Sequence, residues 1–243
     1  NATHTYAIPG TYTVSVTGTF AGIVFGLGGD RQKFLSVEQW GSIDWKAMSG
    51  AFFGCINMSI NATDTPDLND VTDFGYTFRY TNFSHGLEDW DMSHVLSVFG
   101  MFQDTTFNGD ISRWDVSHVT NFSAMFYGNN SFNQDIGNWN TSNATTFYGM
   151  FYGVGAFNQD IRRWDVSHVT AMNAMFYHAT SFNQDLSNWN VGQVTNMHSM
   201  FDGATSFDQN LGKWDVTHVT DMTDLFAGVR LSSANYDGIL SSW

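Results

Sequence analysis

The chain has 243 residues, of which 13% are charged and 16% are aromatic, so it can bury a core and is not a disordered polyelectrolyte. Its formal net charge of −14 argues against nucleic acids and anionic membranes as partners, because both require a positive surface. The single cysteine, Cys55, excludes an internal disulfide and has no metal-ligand spacing around it. No stretch approaches the roughly 18 apolar residues of a membrane helix, so membrane insertion is not expected. Abundant Ser, Thr and Asn with few lysines indicate a secreted or cell-surface protein.

Residues 1–34 are predicted to form an N-terminal β cap. Residues 4–25 alternate as strands do, with Pro9 and Gly10 at the turn between two of them. Such a cap would cover the core and the sheet edge that a first repeat otherwise exposes.

Residues 35–230 contain an internal repeat. Successive tryptophans are 24, 25, 25, 25 and 25 residues apart, at Trp90, Trp114, Trp139, Trp164, Trp189 and Trp214. The pattern extends upstream to Trp45 and gives eight copies. It predicts a single α/β repeat solenoid, leucine-rich-repeat-like and right-handed, with about eight coils of about 25 residues. A parallel β-sheet would form one face of this solenoid and short helices the other.

Within one coil, residues 114–116 are predicted to be a strand that points Trp114 and Val116 into the core. Residues 119–126 place their apolar side chains on one side of a helical wheel, so we expect a short amphipathic helix with Thr120 as its N-cap. A positive φ is expected at the position after each helix, which glycine tolerates best. Glycine holds that position in most copies, as Gly128, Gly153, Gly203 and Gly228, and His178 is the exception.

Residues 231–243 are predicted to form a C-terminal helical cap that begins at Ser232 or Ser233. Its apolar residues recur at helical spacing, at Tyr236, Ile239, Leu240 and Trp243.

The recurring FNQDIxxWDVSHVTxMxxMF, the early GAFFGC and the final LSSANYDGILSSW resemble the BspA-like surface proteins. These have 26-residue repeats of the Listeria and Mycoplasma type. The lead-in HTYAIPGTYTV is similar to their β lead-in and to the last strands of a PKD domain. The resemblance covers about residues 35–243. It implies a leucine-rich-repeat-like module for adhesion or interaction at a cell surface, without catalytic residues.

The predicted strand face carries charge that alternates with amides from coil to coil. One row holds Arg113, Asn138, Arg163, Asn188 and Lys213; a second holds Asp115, Asn140, Asp165, Asn190 and Asp215; a third holds His118, Asn143, His168, Gln193 and His218. Two interpretations remain open. The alternation keeps like charges apart on adjacent coils, or it is a patterned binding face. The histidines lie too far apart to share a zinc ion, and no nucleophile recurs, so catalysis is not expected.

A second acidic row does not alternate and holds Asp110, Asp135, Asp160, Asp185 and then Asn210. We favour turn capping for these carboxylates over a structural Ca²⁺ site, and no cofactor is otherwise expected. A parallel row, Asn108, Asn133, Asn158, Asn183 and Asp208, is predicted to be structural, because stacked amides satisfy one another and the loop backbone.

Tyr127, Tyr152 and Tyr177 mark the middle coils and are predicted to be at least half exposed. They would either anchor a protein or sugar ligand or stack on one another along the coils. Asparagines in N-x-S/T sequons would carry glycans in a eukaryotic secretory pathway; besides Asn1 they are Asn57, Asn61, Asn82, Asn121, Asn129, Asn140 and Asn143.

The sequence thus predicts a non-catalytic module that recognises a protein or glycan at a cell surface or in the extracellular matrix. The alternative is a structural subunit of an extracellular filament or coat that self-assembles through its flat faces. A carbohydrate-binding module is the third interpretation.

Overall fold

The structure, a computed structural model, describes residues 6–18, 21–26 and 28–243. Regular secondary structure is sparse in this part of the chain. It consists of a 3-10 helix at Arg31–Lys33, strands β1 (Ser36–Val37) and β2 (Ser59–Ile60), and one α-helix, α1 (Ser233–Leu240). The two strands pair in parallel, with Ser36 opposite Ser59 and Val37 opposite Ile60. Turns and irregular backbone make up the rest.

The predicted fold class is therefore wrong. Across the described residues, the repeats form neither a parallel sheet on one face nor a row of short helices on the other, as a right-handed, leucine-rich-repeat-like α/β solenoid would require. Neighbouring repeats are instead joined by isolated parallel bridges about one repeat apart, such as Asn121 with Thr146 and Thr146 with Ala171.

The segment predicted as a helix is a run of tight turns. Ala124 lies in its middle with a φ of 55°, which a right-handed helix does not allow. The N–H of Ala124 donates to the carbonyl of Tyr148 in the next repeat rather than within its own segment. The apolar spacing predicted a helix wrongly, because turns that stack on a neighbouring repeat bury the same side chains as one face of a helix would. Thr120 caps no helix; its hydroxyl donates to the carbonyl of Leu96.

The segment predicted as a strand, residues 114–116, forms no strand and lies between two turns. Asp110 and Asp115 each accept the backbone N–H two residues further on, from Ser112 and Ser117, so a turn lies on either side of Trp114. The inside and outside of this segment were predicted correctly, because Trp114 and Val116 are buried while Asp115 is exposed.

Each of these repeats contains a backbone segment with the same alternating pattern of hydrogen bonds, here called the ladder segment. It spans residues 122–128 and their equivalents 147–153, 172–178, 197–203 and 222–228. In residues 122–128, every second N–H, at 122, 124, 126 and 128, donates to a carbonyl of the next repeat, and those of Met125 and Tyr127 close turns within the segment. The positive φ predicted after each helix is confirmed at Gly128, Gly153, Gly203 and Gly228, which are the last residues of their ladder segments, and it extends to His178, at 53°.

The core is built from aromatic side chains that stack from one repeat to the next. Ring centroids of successive phenylalanines are 5.5–5.9 Å apart along one row, Phe52, Phe78, Phe102, Phe126, Phe151, Phe176, Phe201 and Phe226. A second row packs against it within each repeat, for example Phe157 on Phe151 at 4.0 Å. Because each repeat buries its rings against its neighbours, stability belongs to the stack and not to one repeat.

The two ends differ from the predicted caps in one respect. No strand lies in the described residues before β1, so the predicted β cap is wrong there; residues 1–5, 19, 20 and 27 of the predicted cap lie outside the described part. At the other end, α1 begins after the N-cap Ser232, buries Ile239 and places Trp243 against Phe226 at 6.4 Å. Among the described helices none is long and apolar enough to cross a membrane.

Candidate functional site

The charged rows lie on one exposed side of the repeats, here called the charged face, and its acidic and amide members form turns. In each of the five repeats the side-chain Oδ1 accepts the backbone N–H two residues further on, at 3.0–3.2 Å; the acceptors are Asp115, Asn140, Asp165, Asn190 and Asp215. Both residue types accept this bond equally well, which explains why Asp and Asn interchange here. Arg113, Arg163 and Lys213 are exposed beside them.

The histidine row is also exposed and is tied to the backbone of the preceding repeat. Nδ1 of His168 lies 3.1 Å from the carbonyl oxygen of Ser142, and Asn143 donates to that of Ser117 at 2.7 Å. His118 lies beside the Ser117 hydroxyl. Within the described residues no three His, Cys, Asp or Glu side chains come together as a metal site would require.

The second acidic row caps turns, as predicted. Asp110 accepts the N–H of Ser112, and the same bond recurs at Asp135, Asp160, Asp185 and Asn210. The hydroxyl and the backbone N–H of Ser112 hold the pKa of Asp110 below its ordinary value. For Asp160 the largest cause of the lowered pKa is the hydrogen-bonded side chain of Arg162. Each member of this row already accepts a backbone N–H of its own turn.

The asparagine row is structural, as predicted. Oδ1 of Asn133 accepts the N–H of Asn158 at 3.0 Å, and Gln159 donates its amide to the same oxygen. At the last repeat Asp208 replaces the asparagine and accepts from the backbone N–H of Ser232 and the side-chain amide of Asn235. The start of α1 thus occupies the place that a further repeat would take.

The three tyrosines stack outside the core. The ring centroids of Tyr127 and Tyr152 are 4.1 Å apart, those of Tyr152 and Tyr177 are 4.4 Å apart, and the ring planes lie within 12° of each other. The stacking interpretation is confirmed, and the prediction of at least half exposure is wrong because each ring covers its neighbour. Burial, followed by a hydrogen bond with Tyr127, raises the pKa of Tyr152, so its hydroxyl stays protonated.

Sequence analysis missed an aromatic cluster in the earlier repeats at the same register. The guanidinium of Arg79 lies over three rings, at 5.5 Å from Phe53, 5.3 Å from Tyr76 and 4.7 Å from Tyr80. Tyr76 also packs edge-on against Phe99 at 4.8 Å. The sequence does contain a sign of this cluster, because Arg79 occupies the repeat position that tyrosine holds in the middle repeats.

Together these side chains form an aromatic face along the outside of the ladder segments: Phe53, Tyr76, Arg79, Tyr80, Phe99, Tyr127, Tyr148, Tyr152 and Tyr177. The most open rings are those of Tyr80, 39% exposed, and Tyr148, 43% exposed. The face therefore offers two partly exposed rings and a line of phenolic hydroxyls, which suits contact with apolar groups and hydrogen bonding to polar ones.

A family described as Mycoplasma protein of unknown function, DUF285, matches residues 46–159 and again residues 134–243. The chain belongs to the DUF285 family. The two matches overlap and together contain both the aromatic face and the charged face. No curated protein and no solved structure gives a match.

The sequons of this DUF285 chain differ in access. Asn129 is 0% exposed, and its amide donates to Phe107 and Thr105, so it cannot carry a glycan in the folded protein. Asn82 is exposed and, among the described residues, makes no side-chain hydrogen bond. The other sequon asparagines in the described part of the chain are bonded through their side chains to neighbouring backbone or side chains: Asn57, Asn61, Asn121, Asn140 and Asn143. Asn1 lies outside the described residues.

The DUF285 repeats also leave a shallow polar cleft of about 410 Å³ beside α1. Its walls include Asp185, Gln209 and Asn210, whose side chains already bond Ser187, Asn183 and Gly212. The cleft thus offers few free groups to a ligand, and the aromatic face is the stronger candidate.

Proposed function

We propose that this protein is a non-catalytic recognition module, displayed on a cell surface or secreted, that binds a glycan or protein partner through its aromatic face. The observation that carries this proposal is the tyrosine row outside the core. Core rings repeat because every repeat must stack on the next, whereas the outer position varies: it holds Arg79, then Gln103, then tyrosines, then Asp202. Information about a partner can reside only in such variable outer positions.

The finer resemblance to BspA-like surface proteins supports the same proposal. The repeat FNQDIxxWDVSHVTxMxxMF agrees with that group at many spaced positions, and the group's members act in adhesion or interaction. We therefore propose that the protein acts outside the cell. Its net charge of −14 favours neutral or cationic partners over polyanions.

The chemistry of the aromatic face favours recognition over a purely structural role at two positions. Stacking explains the covered rings of Tyr127, Tyr152 and Tyr177, but Tyr80 and Tyr148 keep more than a third of their surface exposed. Rigid aromatic side chains lose little conformational entropy on binding, and they commonly dominate the energy of an interface.

The charged face ranks second. Its aspartates and asparagines already form turns, and the predicted sheet that was expected to hold the row rigid is not formed. Arg113, Arg163 and Lys213 alternate with amides, which is what avoiding like charges on adjacent repeats requires.

The test is binding to arrays of defined oligosaccharides and of purified matrix proteins. We expect binding by the native chain and at least a tenfold loss in the double variant Tyr80→Ala with Tyr148→Ala, because both open rings are removed. The matched control is Arg163→Asn with Asp165→Asn, which turns one repeat into the pattern of its neighbours, Asn138 and Asn140, and keeps the turn.

Loss of binding in the asparagine control alone, with the tyrosine variant unaffected, would assign recognition to the charged face and contradict the proposal. Thermal melts of all three proteins separate a binding defect from unfolding. We expect the melting temperatures to agree closely, because exposed substitutions usually change stability by less than about 0.5 kcal/mol.

A further inference from the structure

The last repeat leaves four backbone donors open. In the repeat before it, the N–H groups of residues 197, 199, 201 and 203 donate to carbonyls of residues 221, 223, 225 and 227. The equivalent groups of the last repeat are those of Met222, Asp224, Phe226 and Gly228, and none of them has an acceptor within the described residues. An extended row of unpaired donors is a template for pairing with another segment.

The apolar side chains at this end are open as well. Met197 and Phe201 are 0% exposed in the preceding repeat, whereas the equivalent Met222 and Phe226 are only partly buried. The start of the following helix α1 bonds Asp208 on the asparagine row and does not reach this side. After the helix, Trp243 stacks on Phe226 with ring centroids 6.4 Å apart, but within the described residues it brings no acceptor to the four N–H groups.

The opposite end shows how such an edge is covered. Residues 21–25, which are not part of a repeat, lie against the first repeat: Lys46 donates its N–H to the carbonyl of Ala21, and Phe25 donates to that of Ala51. Ile23 and Phe25 pack against the core, while Val24 between them is exposed. A segment with alternating inward and outward side chains can therefore add to a ladder segment.

The chain contains a second segment of this kind, here called the arm, residues 11–17. Its sequence TYTVSVT alternates apolar and polar residues as a strand does. Its apolar side chains are unburied, with Val14 71% exposed and Tyr12 and Val16 each 45% exposed. Among the described residues the arm has no backbone hydrogen bond to any repeat. The arm also has no charged residue, so it is not repelled by the negative net charge of another copy.

The arm cannot reach the open end of its own molecule. Seven phenylalanine steps of 5.5–5.9 Å place Phe226 roughly 40 Å from Phe52. The four residues from Thr17 to Ala21 span at most about 14 Å when fully extended. An arm can therefore reach the open end only if it belongs to another molecule.

We propose that the arm of one molecule adds to the open ladder segment 222–228 of a second copy, so that copies associate head to tail. The arm's carbonyls accept from the open N–H groups, and its apolar side chains cover Met222 and the part of Phe226 that Trp243 leaves exposed. The contact joins two unlike surfaces, and such contacts form open chains unless the rotation between copies closes a ring. The contact does not involve the aromatic face, so it stands apart from the proposed recognition function.

The first test is light scattering on the full chain over a range of concentrations. We expect the mass of the native protein to rise with concentration, and the double variant Val14→Lys with Val16→Lys to stay monomeric, because two charges would be buried against the open end. The matched control, Thr13→Lys with Ser15→Lys, adds the same charge on the other side of the arm and should still associate.

A native chain that remains monomeric throughout would contradict the proposal. Association that survives the valine substitutions would also contradict it. The same holds if both lysine variants lose association equally, because the proposal requires that association depends on the apolar side of the arm.

The second test traps the contact directly. Ser15→Cys in one protein and Thr223→Cys in another are mixed under mild oxidation; the native Cys55 is buried and does not compete, since burial raises its pKa to about 12. The expected product is a disulfide-linked pair of unlike variants, lost when a peptide of residues 10–18 is added in excess. Cross-linking that is insensitive to the peptide would overturn the assignment of the arm.

Discussion

The indole N–H of Trp164 donates to the backbone carbonyl of Ile136, 3.0 Å away in the preceding repeat. The same bond recurs for Trp114, Trp139, Trp189 and Trp214, at 2.9–3.2 Å. A buried side chain of one repeat thereby fixes the position of the repeat before it. From Trp114 onward, the spacing of the tryptophans thus reflects both burial and this hydrogen bond, whereas Trp90 is buried without it.

Trp164→Ala should lower the stability strongly. The side chain is 3% exposed, and removing a buried aromatic ring usually costs about 3–5 kcal/mol. The carbonyl of Ile136 would also lose its donor. The measurement is a thermal or urea melt. Trp164→Phe is the control, because it keeps most of the packing and loses the hydrogen bond; we expect it to fall between the native chain and the alanine variant. A stable alanine variant would mean that the ring is not part of the core.

The asparagine row should tolerate aspartate and reject a side chain without an acceptor. Asn133→Leu removes the oxygen that accepts from Asn158 and Gln159, and the loss of such a hydrogen bond costs about 0.5–1.5 kcal/mol where water reaches the freed donors. Asn133→Asp should cost much less, because Asp208 fills the same role in the last repeat. Urea melts of both variants check this. Equal destabilisation by the two substitutions would show that the acceptor oxygen is not what the position requires.

Acid should weaken the fold through its turn carboxylates. The pKa values of Asp110, Asp160 and Asp185 are held below their ordinary value by hydrogen bonds, to Ser112, Arg162 and Ser187 respectively. A lowered folded pKa means that this stabilisation is complete above about pH 4, the unfolded value, and is lost as the pH falls through the folded value. Converting all three residues to asparagine keeps the turns and removes the titration. Melts at neutral pH and at about pH 3 should therefore differ less in this variant. An unchanged acid dependence would place its origin in other groups.

Much of the molecule could be predicted from the sequence, and the limit lies in the backbone. Several features follow from local chemistry that is present in every copy of the repeat. They are the repeat length, the burial of Trp114 and Val116, the turn-capping aspartates and the positive φ at Gly128. The assignment of strand and helix failed because apolar periodicity reports which side chains are buried, and stacked turns and helices can bury the same ones.

The candidate site could be predicted only in part for a similar reason. The tyrosines stood out because the same residue recurs at one offset in three repeats. Tyr76, Arg79 and Tyr80 did not, since they are different residue types at different offsets of one repeat, and Phe53 joins them only because the preceding repeat stacks on theirs. The degree of exposure of Tyr152 also depended on its neighbours' rings, which a single repeat does not reveal.

Glycan occupancy should follow access if the chain is secreted from a eukaryotic cell. Asn82 has an exposed amide and should carry a glycan, whereas Asn129 is buried and bonded to Thr105 and Phe107. Because a glycan on Asn129 would prevent folding, the secreted protein should lack it. Peptide mass spectrometry after enzymatic deglycosylation distinguishes the two sites. A folded, secreted protein with a glycan on Asn129 would contradict the buried position of that side chain.

Amide hydrogen exchange tests the central claim, that the repeats are joined by a backbone ladder of turns. The measurement is made by NMR at a concentration where the chain is monomeric. The ladder predicts slow exchange for the N–H groups of Met197, Ser199, Phe201 and Gly203, which donate to the last repeat. It predicts fast exchange at the equivalent Met222, Asp224, Phe226 and Gly228, which lack acceptors in the described structure. Equal protection in the two sets would show that the segments bond within themselves, as helices do, and would contradict the account.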